Sequence, residues 1–444
     1  MRFAVKFLGC KVSHADAMLA RRRLLEAGHE EAPEAEAELH VINTCCITAE
    51  AEAKSRQSVR RSLKSAREVY VAGCAVNLNA RQFADIDPGV RPFIGTADDV
   101  AAAMPEHLGA CADIEHEPLV GRRGPRRARV RARTHARDGA AIVHTPAAPE
   151  RSAAARTRGF VKVQDGCDCH CAYCIIPTVR GGARSRPAAA VLAEVERRVA
   201  DGQPEVVMTG ISVGDYRDPE HGLELGELMM AAAAVPGVQR VRLSSVEVIH
   251  VRDTLLRALH EEPKVCPHLH VPMQSGDDGV LEAMGRHYSA AEYLQAINEL
   301  RAAVPQVNVT TDIIVGFPNE DEAAFERTLA LVSEAGISRV HSFSYSSRPG
   351  TVAESLGDRV APQEKKRRSQ QLRGLSEVRS RQHRVAKLGS RERVLVDKVA
   401  EAQCAGYTAD YTRCYLPGGA ARAGQLVDVG VHELHADGLR VTPI

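Results

Sequence analysis

The sequence predicts an α/β protein in three parts: an N-terminal open parallel-sheet domain, a central partial (β/α) barrel and a small C-terminal β-barrel. Three observations carry this. Strand-like apolar runs alternate with helical runs over residues 1–100 and again over 158–360, the pattern of parallel strands covered by crossover helices. From residue 391 the chain changes to short strand-like runs broken by Gly406, Pro417-Gly418-Gly419 and Gly424, the mark of a small all-β barrel. Between the two alternating stretches the apolar period disappears. The expected divisions are 1–105, an Arg/Pro-rich linker at 106–155, then 156–388 and 389–444.

In the first part, Phe3–Leu8, Leu39–Asn43 and Val69–Ala72 read as strands. Ala15–Ala27 reads as an amphipathic helix with Leu19, Leu24 and Leu25 facing inward, and Ala49–Ala66 as a charged helix. Ligands of open parallel sheets collect at the carboxyl ends of the strands. Cys10, Cys45 and Cys74 each follow one of the three strands, so cysteines far apart in sequence are expected to converge on one crevice.

Residues 101–157 break the pattern. Eight arginines fall between Arg122 and Arg137, followed by Pro146 and Pro149. A solvated tether and an arm that binds RNA phosphate are equally good readings of such a charge block.

In the central part, strands are expected at Phe160–Val163, Val206–Thr209, Val241–Ser244, His268–Pro272, Thr310–Val315 and Val340–Tyr345, with helices such as Ala189–Asp201 and Ala323–Ala335 between them. Six repeats suggest a partial barrel whose working groups stand at the strand C-terminal ends. The polar residues there make Thr209, Gly210, Glu247, Gln274 and Asp312 candidate contacts for cofactor or substrate. Hydrogen bonding to neighbouring loop backbone is the structural alternative. His270 either points into the barrel or packs in the core. Residues 362–388 read as a basic helix with a solvated outer face, and the tail as strands Arg393–Val399, Thr408–Leu416, Gln425–Val431 and Gly438–Val441.

Composition narrows the class. With 444 residues and 44% hydrophobic content the chain can bury several cores. It has no tryptophan and 4% aromatics, so widespread base stacking is not expected, and a net charge of +1 leaves nucleic-acid binding to local basic patches. The first apolar run is interrupted at Lys6, which argues against a secretory signal, and no apolar stretch approaches the roughly 20 residues of a membrane span, so a cytoplasmic location is expected. In a reducing compartment twelve cysteines point to metal or redox work rather than a disulfide framework.

Cys167, Cys171 and Cys174 form a C-x-x-x-C-x-x-C loop directly after the first strand of the barrel-like part. Three thiolates on a tight loop can hold three irons of a 4Fe–4S cube. The fourth iron is then open to a small molecule, the arrangement that radical chemistry with S-adenosylmethionine requires. A zinc knuckle completed by Cys169 or His170 is the alternative. Placement atop a barrel favours the cluster, because structural zinc usually sits in small ribbons.

At these residues the chain resembles the radical S-adenosylmethionine methylthiotransferase family. The likeness rests on Gly9-Cys10-Lys11-Val12, Val41-Ile42-Asn43-Thr44-Cys45 with Lys54-Ser55-Arg56-Gln57, Val71-Ala72-Gly73-Cys74, and Val163 through Pro177. It continues through Arg180-Gly181, Arg184-Ser185-Arg186-Pro187, His270 through Gly276, Thr311 through Pro318 and Tyr345 through Thr351. Ser13 and Asn319 depart from the pattern, where asparagine and glycine are usual. The resemblance implies a central domain of radical SAM type and a terminal TRAM-like RNA-binding barrel. It implies two 4Fe–4S clusters, one on Cys167, Cys171 and Cys174 and an auxiliary one on Cys10, Cys45 and Cys74. Cys46 and Cys169 are neighbouring thiols that could replace a ligand. The cofactor implied is S-adenosyl-L-methionine; the partners implied are tRNA and an electron donor such as flavodoxin or ferredoxin. Within the family the runs look most like the MtaB branch, which implies conversion of threonylcarbamoyl-adenosine beside the anticodon to its 2-methylthio form. Sister branches act on isopentenyl-adenosine in tRNA or on an aspartate of a ribosomal protein. A non-catalytic, zinc-dependent RNA-binding protein is the reading from a different class.

Overall fold

The computed structural model describes residues 1–110 and 157–444. The arginine-rich stretch therefore lies outside the described residues. Among the described residues, β1 (Arg2–Phe7), β2 (Glu30–Glu31), β3 (Leu39–Thr44), β4 (Glu68–Gly73) and β5 (Val90–Pro92) form an all-parallel sheet in the order β2-β1-β3-β4-β5. The central strand β3 is buried at every position, as a parallel strand covered on both faces must be.

The first helix is Lys11–Glu26, starting one turn before the predicted Ala15. Its opening turn buries Val12 and Ser13, and the Ser13 carbonyl accepts from Asn43 Nδ2 at 2.7 Å, a tertiary contact that no apolar period announces. Leu24 is fully buried as expected, whereas Leu25 is exposed. The helix Ala97–Ala110 continues into the stretch where the sequence pattern breaks.

The central part holds β6 (Arg158–Lys162), the short antiparallel pair β7 (Gln164–Asp165) and β8 (Arg184–Ser185), then β9 (Glu205–Thr209), β10 (Arg240–Leu243), β11 (His268–His270), β12 (Asn308–Val315) and β13 (Arg339–Ser344). Parallel sheets β6-β9-β10 and β11-β12-β13 are joined where Val241 bridges Val265 and where Val246 N donates to His270 O at 2.9 Å. The result is an open barrel of six parallel strands around a Val-, Leu- and Ile-rich core. The fold is the expected α/β one.

The C-terminal strands β14 (Arg391–Val399), β15 (Gln403–Tyr407), β16 (Arg413–Pro417), β17 (Leu426–His435) and β18 (Gly438–Pro443) close into a barrel in the order β14-β15-β16-β18-β17. The sequence suggested one strand over Thr408–Leu416. Instead a turn at 408–412, fixed by Thr412 N donating to Thr408 Oγ1 at 2.9 Å, separates β15 from β16. β15 was not foreseen because Gly406 reads as a turn. A Cβ there would stand 2.1 Å from Leu395 O, so the glycine serves close strand approach instead.

This barrel seats on the N-terminal ends of the central strands. Arg240 Nη1 donates to Tyr407 O at 2.9 Å, Arg242 Nη1 to Ala409 O at 2.9 Å and Asn308 Nδ2 to Asp410 O at 2.8 Å. The basic helix is Pro362–Val385, and its inner side corrects the expectation of a solvated face. Lys365, Arg368 and Arg384 are buried, with Arg368 held by Glu320 and by Glu364 at 2.7 Å. Among the described residues no helix is long and apolar enough to cross a membrane.

Candidate active site

The cysteine loop leaves β7 at Asp165 and passes close to the chain that returns at Gly181-Gly182. Gly166 sits at φ +71°, and a Cβ there would lie 1.9 Å from Gly182 O, so this crossing demands glycine. Cys174 N donates to Cys171 O at 3.0 Å, which turns the loop back on itself. Cys167, Cys169, Cys171 and Cys174 are all half-buried. Burial pushes the Cys174 thiol up to about 11 and the Cys169 thiol up to about 12, the latter helped by neighbouring Cys167. Such thiols ionise readily only beside a compensating positive charge, which bound iron supplies.

The second triplet comes from three strand ends. Cys10 caps the helix Lys11–Glu26 and is exposed, Cys45 follows β3, and Cys74 opens the short helix Cys74–Leu78 after β4. Gly9 and Gly73 let these loops close up. A Cβ on Gly9 would stand 2.8 Å from Cys45 Sγ, and one on Gly73 (φ +94°) 2.1 Å from Asn43 Oδ1. Cys10, Cys45 and Cys74 line one cavity of about 890 Å³, together with Thr209, Gly210 and Asp312 from the central barrel. Cys46 is not among the lining residues; it is fully buried in an apolar cluster with Val71, Val76 and Phe83, against Cys74. Among the described residues no group of three His, Cys, Asp or Glu side chains closes round a single ion.

The helix Ile176–Arg180, just past the cysteine loop, joins the two triplets. Ile175, Ile176 and Val179 pack into the same apolar cluster as Cys46 and Cys74. Arg180 Nε donates to Cys74 Sγ at 3.1 Å, and its other nitrogens reach Asp16 and Asp165 at 2.9 Å each. Lys162 closes the ring, 2.6 Å from Asp16 and 3.0 Å from Asp165. The hydrogen bond with Cys46, against burial and with help from Arg180, holds the Cys74 thiol below the ordinary thiol range. Burial would raise the Asp165 carboxyl, but Lys162 and Arg180 outweigh it and hold the group at about 2.

The five polar candidates have separate fates. Thr209, Gly210 and Asp312 line the large cavity, where Asp312 Oδ1 lies 3.1 Å from His270 Nε2. Gln274, at φ +65°, lines an adjoining cavity of about 210 Å³ beside Cys174, Tyr173 and Phe343. Glu247 is engaged by Arg286, whose Nη1 also donates to Cys171 Sγ at 3.2 Å. In the Arg184-Ser185-Arg186-Pro187 run, Arg186 is taken by Glu194 at 2.8 Å and Arg184 by the carbonyls of Arg180 and Gly182. Sequence reasoning missed Arg286, which has no local signal and lies 115 residues from Cys171. It also missed Lys11 as a cavity residue, although Lys11 directly follows a candidate ligand. Burial, with Arg242 and Arg158 nearby, lowers the Lys11 ammonium to about 8.

Residues 161–332 match the family described as Radical SAM superfamily, and residues 2–95 match Uncharacterized protein family UPF0004. The chain is thus a radical SAM enzyme, working with a 4Fe–4S cluster and S-adenosylmethionine, and the non-catalytic zinc reading is set aside. It is 33% identical to "Threonylcarbamoyladenosine tRNA methylthiotransferase MtaB" of Thermotoga maritima, over 98% of this chain and 95% of the relative. It is 32% identical to "tRNA-2-methylthio-N(6)-dimethylallyladenosine synthase" of Geobacter metallireducens, over 96% and 95%. The chain belongs to the radical SAM methylthiotransferase family. The solved radical S-adenosylmethionine methyltransferase TsrM from Kitasatospora setae, with cobalamin and a 4Fe–4S cluster bound, shares the fold at TM-score 0.57 and 12% identity, over 81% of this chain and 76% of that one.

Proposed function

We propose that this enzyme converts threonylcarbamoyl-adenosine beside the anticodon of tRNA to its 2-methylthio derivative. The observation that carries the reading is the pair of cysteine triplets, each without a fourth protein ligand in its motif, joined through the helix Ile176–Arg180, with Cys10, Cys45 and Cys74 lining the large cavity and Cys174 lining the adjoining one. Cys167, Cys171 and Cys174 would hold the cluster that cleaves S-adenosylmethionine. Cys10, Cys45 and Cys74 would hold a second 4Fe–4S cluster, where the transferred sulfur resides. When bound, the clusters supply the electron and the sulfur; the protein's share is placement. Arg286 fixes the cysteine loop through Cys171, and Arg180 fixes Cys74. Asp312 lines both the large cavity and the adjoining one, and Gln274 lines the adjoining one beside Cys174. The terminal barrel would read RNA, with a flavodoxin or ferredoxin as electron donor, in the cytoplasm.

The substrate choice draws support from the MtaB relatives in Thermotoga maritima, Chlamydia pneumoniae and Bacillus subtilis, at 33%, 31% and 31% identity. The dimethylallyl-adenosine synthases at 31–34% favour a second reading, in which the N6 group is isopentenyl. The test is expression in a host lacking its own methylthiotransferases, followed by mass spectrometry of nucleosides from total tRNA. The 2-methylthio form of threonylcarbamoyl-adenosine is expected. The isopentenyl form keeps the reaction and changes the substrate. No methylthio-nucleoside, with clusters intact, redirects the search to a ribosomal-protein aspartate.

A further inference from the structure

Five lysine or arginine side chains reach the wall of the large cavity: Lys11, Arg180, Arg339, Arg384 and Arg413. Three are already neutralised. Arg180 is held by Asp16 and Asp165, Arg384 by Glu377 at 2.8 Å and Arg413 by Asp437 at 2.9 Å. Lys11 and Arg339 have no hydrogen-bond or ion-pair partner among the described residues. The acids of the same wall are engaged, Asp312 by His270 at 3.1 Å and Asp437 by Arg413. A wall with free cations and no free acid is a site for an anion. Arg339 is exposed, at the outside. Lys11 is half-buried, so the anion it meets must be carried inward.

We propose that the Lys11 ammonium receives the carboxylate of the N6 substituent of the target adenine, and that this residue distinguishes threonylcarbamoyl-adenosine from an adenine with an apolar N6 group. The inference rests on the tRNA-adenosine reading above. Placement supports it. Lys11 follows Cys10 directly, so its ammonium lies within one side-chain length of the sulfur-bearing triplet. In the purine ring only N1 and C6 separate C2 from N6, so whatever reads the N6 group must stand beside whatever modifies C2. A compact cation with three donors matches a carboxylate. A dimethylallyl group leaves it unpaired, and the unpaired group left behind is what makes such a site selective.

The test uses anticodon stem-loops with threonylcarbamoyl-adenosine, dimethylallyl-adenosine or adenosine at the target position. Affinity is read by fluorescence anisotropy with cluster-free and cluster-loaded protein, beside methylthiolation of the same RNAs. Wild type is expected to prefer the threonylcarbamoyl RNA. Lys11→Met should lose about 10- to 100-fold in affinity for that RNA alone, and Lys11→Arg should keep most of it. Lys11→Gln reads the same quantity should the methionine variant be insoluble. Iron and sulfide content shows whether Cys10 still ligates, and the cluster-free binding series does not depend on it. Equal loss on all three RNAs would place a backbone phosphate on Lys11 and overturn the proposal. An undiminished preference in Lys11→Met also overturns it. A wild-type protein that methylthiolates only the dimethylallyl RNA overturns the substrate reading itself, a result visible without any variant.

Discussion

Arg180 is the most exacting place to test the interface between the N-terminal sheet and the cysteine loop. Its guanidinium, with Lys162, faces Asp16 and Asp165 in a ring whose side chains are 7–13% exposed. Arg180→Gln leaves two carboxylates to share Lys162. Deleting one partner of a buried ion pair costs about 3–5 kcal/mol, because the charge left behind stays desolvated. Asp16 comes from the N-terminal part and the other three from the central part, so the loss falls on their contact. For a cooperative unit of 150–250 residues each kcal/mol lowers Tm by about 2–4 °C, which puts the expected drop at roughly 6–20 °C. The assay is differential scanning calorimetry of cluster-free protein near neutral pH. Adding Asp16→Asn to Arg180→Gln should recover part of the loss, since the double variant removes the stranded charge. A drop below about 2 °C in a folded Arg180→Gln protein, or no recovery in the double variant, would refute the ring as a source of stability.

Three further outcomes follow from the same geometry. The Asp165 carboxyl, held at about 2 in the fold against about 3.9 unfolded, stabilises fully above the unfolded value and ceases to do so as pH falls towards 2. Urea unfolding of wild type should therefore lose about 2 kcal/mol from this group across that window, and Asp165→Asn should show a flatter profile there. Gly73→Ala forces a Cβ onto Asn43 Oδ1 and displaces Cys74, so iron per chain after anaerobic purification should fall from about eight towards about four, while Gly374→Ala, which meets nothing, keeps it. Cys171→Ala should abolish reductive cleavage of S-adenosylmethionine to 5′-deoxyadenosine, and Cys169→Ala should retain it; the opposite result would make Cys169 the ligand.

What was legible in the sequence was what periodicity and spacing record. Alternating apolar runs placed the six central strands, and strand ends placed Cys10, Cys45 and Cys74 before any contact was visible. β15 was hidden because Gly406 serves strand packing, a role that local pattern cannot tell from a turn. Leu25 was misplaced because one helix face shades into the next. The inward Arg368 of the helix Pro362–Val385 reads as solvated from sequence because two of its acids, Glu320 and Glu322, lie outside that helix. Arg286 and Lys11 gained their places only through tertiary packing.

The seating of the terminal barrel has a consequence for how this architecture can vary. Arg240, Arg242 and Asn308 donate to the carbonyls of Tyr407, Arg393, Ala409, Thr408 and Asp410, main-chain atoms that every residue type possesses. At these contacts the socket recognises the shape of the loop and is blind to the side chains on it. The outer face of the barrel is thereby free to drift or be exchanged for another, with the catalytic half undisturbed, provided that the backbone course of the 408–412 turn is kept together with Tyr411 and Asp397, whose side chains meet Arg158.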